Sequence, residues 1–329
     1  MTEQSPDPRM LASRVPSLSG VERAADKVAE ILPMTPLLPL DVAGRTIWCK
    51  AECLQPVGAF KIRGAWHRLT DLTADDAAAG VVGVSSGNHA QGVAWAAKRL
   101  GIRATIVMPS NAPQMKLAAT RALGAEVVLY DRVTESRDAV AAELIRERGG
   151  VLVHAYGDPW IIEGQGTAGL EARAQMRARG IDGPDRIVAC CGGGGLTAGL
   201  ALACPDAIVT AVEPEGWDDV ARSLEAGEIL SVRDMRYPTE CDALQTPETW
   251  PINFAVLQAR GVRGVAVTRE EVRHAMRVVF ERLHLVVEPG GAAALAAVLA
   301  GKVEIGDATL VTLSGGNVDP QLYAEILAG

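Results

Sequence analysis

The amino-acid sequence predicts an α/β fold in which mostly parallel sheets are covered by helices on both faces. Short runs rich in β-branched residues alternate along the chain with Ala-rich stretches of helical periodicity. The strand-like runs are apolar throughout, as expected for parallel strands that are buried on both sides. With 329 residues, the chain is long enough for about two domains. No repeat or flexible linker marks a boundary between them, so we expect the chain to cross between domains more than once.

Hydrophobic periodicity places the individual elements. The clearest predicted strands are Thr46–Trp48, Val81–Val84, Thr105–Met108, Glu126–Leu129, Val151–His154, Arg186–Cys190, Ile208–Val212 and Thr309–Leu313. Helices are predicted over His89–Leu100, Pro113–Leu123, Thr134–Arg148 and Thr268–Leu283. A further helix near the start of the chain is expected to begin at a capping box formed by Ser19 and Glu22 and to stop at Pro33. Thr268 and Glu271 form a second capping box.

Charge and composition exclude several classes of partner. The chain has 32 basic and 40 acidic residues, a formal net charge of −8, and only 4% aromatic residues. Nucleic acids and anionic membranes attract basic surfaces, and single-stranded nucleic acids are bound by aromatic stacking platforms. We therefore expect no nucleic-acid or membrane partner, and a small-molecule ligand instead.

Two further features bear on the compartment. The stretch Ile187–Pro205 is uncharged, but Gly192–Gly195 interrupt it, so a buried strand–loop–helix is expected rather than a membrane span. The start of the chain lacks the apolar core of a signal peptide, and the six cysteines form no C-x-x-C pair. We expect reduced, buried thiols in a cytoplasmic protein.

Glycine-rich turns follow the predicted strands at four places. Ligands of open α/β sheets bind at the carboxyl ends of strands, so these turns are the expected position of a site. The turns are Gly58–Gly64 (GAFKIRG), Ser85–Gly92 (SSGNHAQG), Gly192–Leu196 (GGGGL) and Ser314–Asn317 (SGGN).

The run of glycines at Gly192–Gly195 favours phosphate binding, because bare backbone N–H groups at the start of a helix converge on an anion. Which phosphate is left open by the sequence. Gly193, Gly195 and Ala198 also satisfy the dinucleotide-binding pattern, with Glu213 at the spacing of its ribose-binding acid. A purely structural glycine turn is the remaining alternative.

Lys61 and the residues near Asn88 and Ser314 suggest further chemistry. A buried, neutral lysine amine forms a Schiff base with an aldehyde, and Phe60 and Ile62 make the surroundings of Lys61 less polar than those of an ordinary exposed helix lysine. The turn Ser85–His89 could hold a carboxylate at a helix N-terminus, or simply cap that helix through Ser86 or Asn88. Ser314 could meet a ring nitrogen or cap a turn.

Taken in this order, the four segments resemble the serine/threonine dehydratase branch of the fold-type II pyridoxal-phosphate (PLP) enzymes, which also contains serine racemase. The resemblance covers nearly the whole chain and includes the motifs at Glu163–Gly169 (EGQGTAG), Val212–Pro214 (VEP) and Val287–Ala294 (VEPGGAAA). It implies a tryptophan synthase β-like architecture of two domains, each with a mostly parallel sheet. A small domain is expected at residues 80–157, and a large PLP-binding domain at residues 1–79 and 158–329.

The resemblance also implies roles for individual residues. Lys61 would carry the cofactor as a Schiff base and act as the general base. Phe60 would lie against the cofactor, Asn88 would meet its ring hydroxyl and Ser314 its pyridine nitrogen. The residues expected to grip its phosphate are Gly192, Gly193, Gly194, Gly195 and Leu196. The residues expected to hold the substrate carboxylate are Ser85, Ser86, Gly87, Asn88 and His89.

The implied activity is that of a dehydratase, or ammonia-lyase, acting on a β-hydroxy-L-amino acid to give a 2-oxo acid and ammonia. L-Serine and L-threonine are the default substrates. 3-Hydroxyaspartate is a competitor that requires a cation for its second carboxylate, for which Arg63 and Arg137 are the candidates. Ser86 matches the acid/base of serine racemase on the face opposite the lysine, so a racemase with side dehydratase activity is the alternative.

The resemblance also implies a homodimer and a divalent-cation site. Mg²⁺, Mn²⁺ or Ca²⁺ would be held by the carboxylates of Glu213 and Asp219 and the backbone carbonyl of Trp217, which are hard oxygen donors. An ordinary solvated acidic loop is the alternative for this segment. For the whole protein, a nicotinamide-dependent dehydrogenase would leave Lys61, Asn88 and Ser314 without roles, and a non-catalytic binding protein would have no need for Lys61.

Overall fold

Two sheets, both mostly parallel, organise the chain. The computed structural model describes residues 14–85, 87–112, 114–131, 133–234 and 237–329. Within this part of the chain, one sheet has the strand order β1-β2-β10-β7-β8-β9 and the other has the order β5-β4-β3-β6. The strands are β1 Leu37–Val42, β2 Arg45–Lys50, β3 Val81–Val84, β4 Ala104–Pro109, β5 Glu126–Tyr130, β6 Val151–Val153, β7 Arg186–Cys190, β8 Ile208–Pro214, β9 Arg263–Val267 and β10 Thr309–Thr312.

Helices connect most of the strands and cover both sheets. They are α1 Leu18–Ala29, α2 Lys61–Leu69, α3 Ala74–Ala79, α4 Asn88–Leu100, α5 Gln114–Ala122, α6 Arg137–Arg148, α7 Pro159–Arg177, α8 Gly195–Ala203, α9 Asp219–Ala226, α10 Pro251–Ala259, α11 Arg269–Val278, α12 Pro289–Leu299 and α13 Pro320–Ala328. A π-helical turn over Val279–Leu283 continues α11. Short 3-10 turns lie at Glu52–Leu54 and Asp242–Leu244.

The central strands are largely buried, which explains their apolar character. Every residue of β4 and of β10 is buried. In the larger sheet, Val311 of β10 pairs with Cys49 of β2 on one side and with Val188 of β7 on the other, both in parallel register. The hairpin of β1 and β2 is the antiparallel pair in the sheets described. The predicted α/β class with mostly parallel, helix-covered sheets is confirmed.

All of the strands predicted from the sequence are present, but β1 and β9 were not predicted. The capping box at Thr268 and Glu271 is confirmed, with both of its hydrogen bonds formed. The cap at Ser19 is wrong: the cap is Ser17, two residues earlier, and its hydroxyl accepts from the N–H of Gly20 at 3.2 Å. Glu163 explains the difference, because its carboxylate accepts the Ser17 N–H at 3.1 Å and fixes the chain at this point.

The four strands of the smaller sheet fall between residues 81 and 153, inside the predicted small domain at 80–157. The larger sheet takes its strands from both sides of that segment. The domain boundaries themselves stay a prediction. In the described residues, no helix combines the length and the apolar character needed to cross a membrane.

Candidate active site

A cavity of about 230 Å³ lies at the carboxyl ends of β3, β7 and β10. Parallel strands bring their ends to one edge of a sheet, so turns that are distant in sequence meet there. The cavity is lined by almost every residue predicted to bind cofactor or substrate: Phe60, Lys61, Ser85, Gly87, Asn88, His89, Gly192, Gly193, Gly194, Gly195, Leu196 and Ser314. Ser86 lies outside the described residues.

Lys61 is the first residue of α2 and directs its amine into this cavity. Its Nζ donates to the carbonyl oxygen of Ala155 at 2.7 Å and lies 5.2 Å from the ring centre of Phe60. Burial lowers the pKa of the Lys61 amine to about 8, because a charged ammonium loses hydration in an apolar site. A neutral amine, and hence a nucleophile or a base, is therefore accessible near neutral pH.

The glycine loop between β7 and α8 is shaped for close backbone approach. Gly194 has φ +89°, a conformation that side chains disfavour, and it directly precedes the N-terminus of α8. A Cβ at Gly193 would lie 2.3 Å from the ring of Tyr156, so only glycine fits beneath that ring. The free N–H groups at the start of α8, together with the helix dipole, favour an anion such as a phosphate.

Ser314 and Phe60 are tied together at the opposite side of the cavity. Ser314 lies two residues beyond the end of β10 and is 4% exposed. Its carbonyl accepts from the N–H of Phe60 at 3.1 Å, and an isolated bridge pairs Ala59 with Gly315. The loop that carries Lys61 is thereby fixed to the end of β10.

Asn88 opens α4 and is held from both sides. Its Nδ2 donates to Oε1 of Glu288 at 2.6 Å, and its Oδ1 accepts from Nδ2 of Asn317 at 2.8 Å. Glu288 lines the cavity but was not predicted as a site residue, although its motif was noted in the sequence. Burial, followed by the nearby Asp242, raises the pKa of Glu288 to about 8, while the hydrogen bond from Asn88 opposes the shift.

Neutral histidines and an aromatic ring form the wall beside the glycine loop. His89 Nε2 lies 2.8 Å from the carbonyl of Val153, and the ring of His154 packs against Tyr156 and Trp250. Burial lowers the pKa of both histidines to about 3. They therefore act as neutral, polar packing groups rather than as acids at neutral pH.

Comparison with known proteins decides the family. The model of the pyridoxal-phosphate dependent enzyme family matches residues 28–315. The chain belongs to the pyridoxal-phosphate dependent enzyme family. The chain is similar to L-threo-3-hydroxyaspartate ammonia-lyase from Saccharomyces cerevisiae, with 36% identity over 96% of this chain and 97% of the relative.

Two solved structures of this PLP enzyme family extend the likeness to the fold. A threonine deaminase from T.th. shares 42% identity with a TM-score of 0.84, over 92% of this chain and 99% of that one. Maize serine racemase shares 33% identity with a TM-score of 0.88, over 96% of this chain and 98% of that one. The predicted fold-type II class and the serine/threonine dehydratase-like family are confirmed.

The residues that line the cavity fit pyridoxal phosphate. A phosphate suits the glycine loop, and an aldehyde suits the Lys61 amine, whose pKa is lowered to about 8. The rival dehydrogenase interpretation required Glu213 to face the same cavity, but Glu213 does not line it. Both of its carboxylate oxygens accept backbone N–H groups instead, from Val220 at 3.0 Å and Ala221 at 2.8 Å.

Of the two cations proposed for a second substrate carboxylate, Arg137 lines the cavity of this PLP enzyme and Arg63 does not. The assignment of Arg63 is therefore wrong. Successive residues of a helix are rotated by about 100°, so Arg63 faces roughly away from Lys61, two residues before it. Lys116 and Asp242 also line the cavity and form an ion pair there.

Arg63 instead belongs to a buried group that we call the α2 ion cluster, comprising Lys50, Glu52, Arg63 and Glu171. The Arg63 guanidinium donates to both carboxylates, at 2.7 and 2.8 Å to Glu52 and at 2.7 and 2.8 Å to Glu171. Lys50 Nζ donates to Glu171 at 2.8 Å. Burial alone would raise the pKa of Glu52, but Arg63 holds it below its ordinary value. The cluster fixes α2 to α7 and to the end of β2.

The predicted metal ligands lie after β8. Glu213 and Asp219, which we call the β8 acid pair, are both fully buried. Among the described residues, neither carboxylate oxygen of Asp219 has a hydrogen-bond partner. Burial raises the pKa of Asp219 to about 8, and burial together with Asp219 raises that of Glu213 well above its usual range. The described residues contain no group of three or more His, Cys, Asp or Glu side chains that could hold a metal ion.

Proposed function

We propose that this protein is a PLP-dependent ammonia-lyase that removes water from a β-hydroxy-L-amino acid and yields a 2-oxo acid and ammonia. The observation that carries the proposal is the Lys61 amine, buried in a cavity bounded by the glycine loop, Asn88 and Ser314. Relatives named 3-hydroxyaspartate and threonine ammonia-lyase support the reaction type.

The residues that line the cavity have separate roles in the proposed reaction. When bound, pyridoxal phosphate supplies an electron sink for the charge that develops at the substrate Cα. Lys61 removes the Cα proton, since its lowered pKa leaves a usable fraction of neutral amine. The backbone N–H groups at the start of α4 hold the substrate carboxylate. Ser314 lines the cavity and would offer a neutral hydroxyl to the pyridine nitrogen of the cofactor. Unlike a carboxylate, a hydroxyl would not favour protonation of that nitrogen.

Lys61→Ala tests the proposal. The variant should still bind cofactor through the glycine loop and lose elimination by several orders of magnitude. In the wild-type enzyme, borohydride should bleach the visible absorption and attach the cofactor to Lys61. Lys50 is a matched control, because it is a buried lysine outside the cavity and should stay unlabelled. Near-normal turnover of Lys61→Ala, or labelling elsewhere, would remove this lysine from the mechanism.

Arg137 favours 3-hydroxyaspartate as the substrate over L-serine and L-threonine. Its side chain lines the cavity, and its ion-pair partner is the adjacent Asp138 at 3.5 Å, with the Asp138 side chain 77% exposed. A guanidinium placed there suits a second substrate carboxylate. Arg137→Gln should lower kcat/KM for 3-hydroxyaspartate about 10- to 100-fold and leave L-serine turnover within about threefold. Equal losses on both substrates would contradict this role.

A serine racemase is the second candidate, favoured by the likeness to the maize enzyme. Racemisation requires acid/base groups on both faces of the substrate, and Ser86 would be the partner of Lys61. We expect a minor racemase activity beside dehydration. Chiral analysis of unreacted L-serine should show D-serine accumulating, and less of it with Ser86→Ala. Equal D-serine from both enzymes would remove Ser86 from the racemisation.

A divalent cation at the β8 acid pair is a further part of the proposal. Two buried carboxylates, with both Asp219 oxygens unpartnered among the described residues, suit Mg²⁺, Mn²⁺ or Ca²⁺. The carbonyl of Trp217 would be the third protein ligand, and water would complete the shell. Such an ion would brace the loop after β8 without contacting the substrate.

The remaining proposals concern assembly and compartment. We propose a homodimer, in keeping with the family resemblance, which light scattering would test against a monomer.

A cytoplasmic location is supported by the cysteines, all six of which are free and buried. Such thiols persist in a reducing compartment. Fractionation of the source cells would overturn this by finding the protein outside the cytoplasm.

A further inference from the structure

The hydrogen bonds at Asn88 join three sequence motifs, and the residue that precedes a fourth, into one series. Asn317, from the SGGN turn, donates through Nδ2 to the carbonyl of Val57 at 2.9 Å and to Oδ1 of Asn88 at 2.8 Å. Asn88, at the start of α4, donates through Nδ2 to Glu288 at 2.6 Å. Glu288 belongs to the motif Val287–Ala294 (VEPGGAAA).

This series of hydrogen bonds fixes the orientation of the Asn88 amide, because it determines which neighbour faces the oxygen and which faces the nitrogen. The carbonyl of Val57 is an acceptor only, so Asn317 must turn its NH₂ group toward it. The second hydrogen of that NH₂ group then requires an acceptor, which is Oδ1 of Asn88. The NH₂ group of Asn88 is thereby turned to the opposite side, where Glu288 accepts one of its two hydrogens. The other hydrogen is left as a donor.

The backbone of the SGGN turn fixes the position of Glu288. Its own N–H donates to the carbonyl of Gly315 at 3.0 Å. A Cβ at Gly315 would lie 2.2 Å from Oε1 of Glu288 and 3.2 Å from Nδ2 of Asn88. Any side chain at position 315 would therefore displace the carboxyl from the Asn88 amide, which accounts for the glycine there.

We propose that Glu288 and Asn317 are positioning residues, which hold the Asn88 amide in the one orientation that presents an N–H donor to the ring oxygen of the cofactor. The inference rests on the proposed function, in which Asn88 meets that ring oxygen. A flipped amide would place its carbonyl oxygen there instead. Two oxygen atoms that both carry lone pairs repel each other, so the flip would lose the hydrogen bond and destabilise the bound cofactor.

The electrostatic surroundings suit Glu288 to this task. Burial, then Asp242, raises the pKa of Glu288 to about 8, whereas Asn88 and Lys116 lower it. The negative charge of an ionised Glu288 would also raise the pKa of the thiols of Cys53, Cys190 and Cys241. At neutral pH the carboxyl is therefore mostly protonated and accepts through a carbonyl oxygen, as a glutamine would.

The test compares variants of the holoenzyme at neutral pH. Glu288→Ala removes the acceptor, and Asn317→Ala removes the donor that orients Asn88. Both should lower kcat about 10- to 100-fold, the effect of losing the Asn88 hydrogen bond to the ring oxygen of the cofactor when that oxygen is charged. Both should also move intensity from the visible absorption band of the bound cofactor to the near-ultraviolet. Glu288→Gln keeps the acceptor and should restore both properties to near the wild-type values.

Glu163→Ala is the matched control, because Glu163 is equally buried but does not line the cavity. It should lower the melting temperature and leave the cofactor spectrum unchanged. A wild-type spectrum and kcat in Glu288→Ala and Asn317→Ala would overturn the inference, as would the same spectral shift in Glu163→Ala. Failure of the wild-type enzyme to take up PLP at Lys61 would instead overturn the proposed function and this inference with it.

Discussion

The α2 ion cluster and the β8 acid pair are both buried, yet they differ in how their charge is balanced. In the α2 ion cluster, the two carboxylates of Glu52 and Glu171 face the cations Arg63 and Lys50. In the β8 acid pair, Glu213 is satisfied by backbone N–H groups, and Asp219 has no partner among the described residues. The chain itself balances the charges of the α2 ion cluster, whereas the β8 acid pair requires protons or an added cation to balance its charge.

This difference in charge balance determines how each group contributes to the stability of the fold. A balanced cluster fixes α2, which begins at Lys61, to the rest of the fold without any ion from solution. An unbalanced pair makes the loop after β8 sensitive to what the solution supplies.

The largest effect is expected from Arg63→Met. The substitution leaves Glu52 buried without its cation, which costs about 3–5 kcal/mol of unfolding free energy. Urea unfolding, extrapolated linearly, measures this loss. Arg146→Met is the control, since the ion pair of Arg146 with Glu143 is exposed and its loss should cost less than about 1 kcal/mol. Similar losses in the two variants would show that the α2 ion cluster is not the stabilising group described here.

A smaller effect is expected from chelation. Removing divalent cations should lower the activity and the melting temperature together, and Mg²⁺, Mn²⁺ or Ca²⁺ should restore both. At a cation concentration about 100-fold above Kd, the gain in stability should be about 2.7 kcal/mol.

Glu213→Gln should not respond to the cation, because it lacks one of the proposed ligands. Its melting temperature should therefore be the same with the cation as with the chelator. The surface variant Asp182→Asn should respond as the wild type does. If chelator changes neither the activity nor the melting temperature of the wild-type enzyme, the β8 acid pair is an ordinary pair of protonated acids that binds no cation.

The smallest effect concerns the pH dependence of cofactor uptake. Only the neutral Lys61 amine attacks an aldehyde, so the rate of uptake by the cofactor-free enzyme should rise with pH and level off, with a midpoint near the pKa of about 8. Burial sets this pKa, and neither member of the β8 acid pair contributes to it. Glu213→Gln should therefore have the same midpoint in stopped-flow absorbance measurements, and a midpoint moved by about one pH unit would mean that the acid pair acts on Lys61.

The sequence identified the elements whose signal is local. The continuous apolar runs of β3, β4 and β7 reflect burial on both faces, and this can be read without knowing their neighbours. Strand β1 has no such signal, because Pro39 interrupts it and the strand pairs on one side only, with β2. Likewise, the cap of α1 depends on Glu163, which lies 146 residues from Ser17.

For the site, the residue types and their order predicted the glycine loop, Lys61, Asn88 and Ser314, and the cavity brings them together. The direction of a side chain was beyond the sequence. Arg63 is close to Lys61 in the chain but faces the α2 ion cluster, and Glu288 lay in a recognised motif without any sign that it contacts Asn88. Both outcomes depend on packing between segments that are far apart in sequence.

The position of β10 has a consequence for the biosynthesis of the chain. Residues 309–312 lie between β2 and β7, so the larger sheet cannot close while the ribosome is still adding the preceding three hundred residues. The smaller sheet takes all of its described strands from residues 81–153, so none of them waits for the end of the chain. During translation β2 and β7 must therefore remain without their common neighbour, with edges that could pair wrongly. Premature termination after α12 would leave a folded small sheet attached to a large one that lacks a central strand.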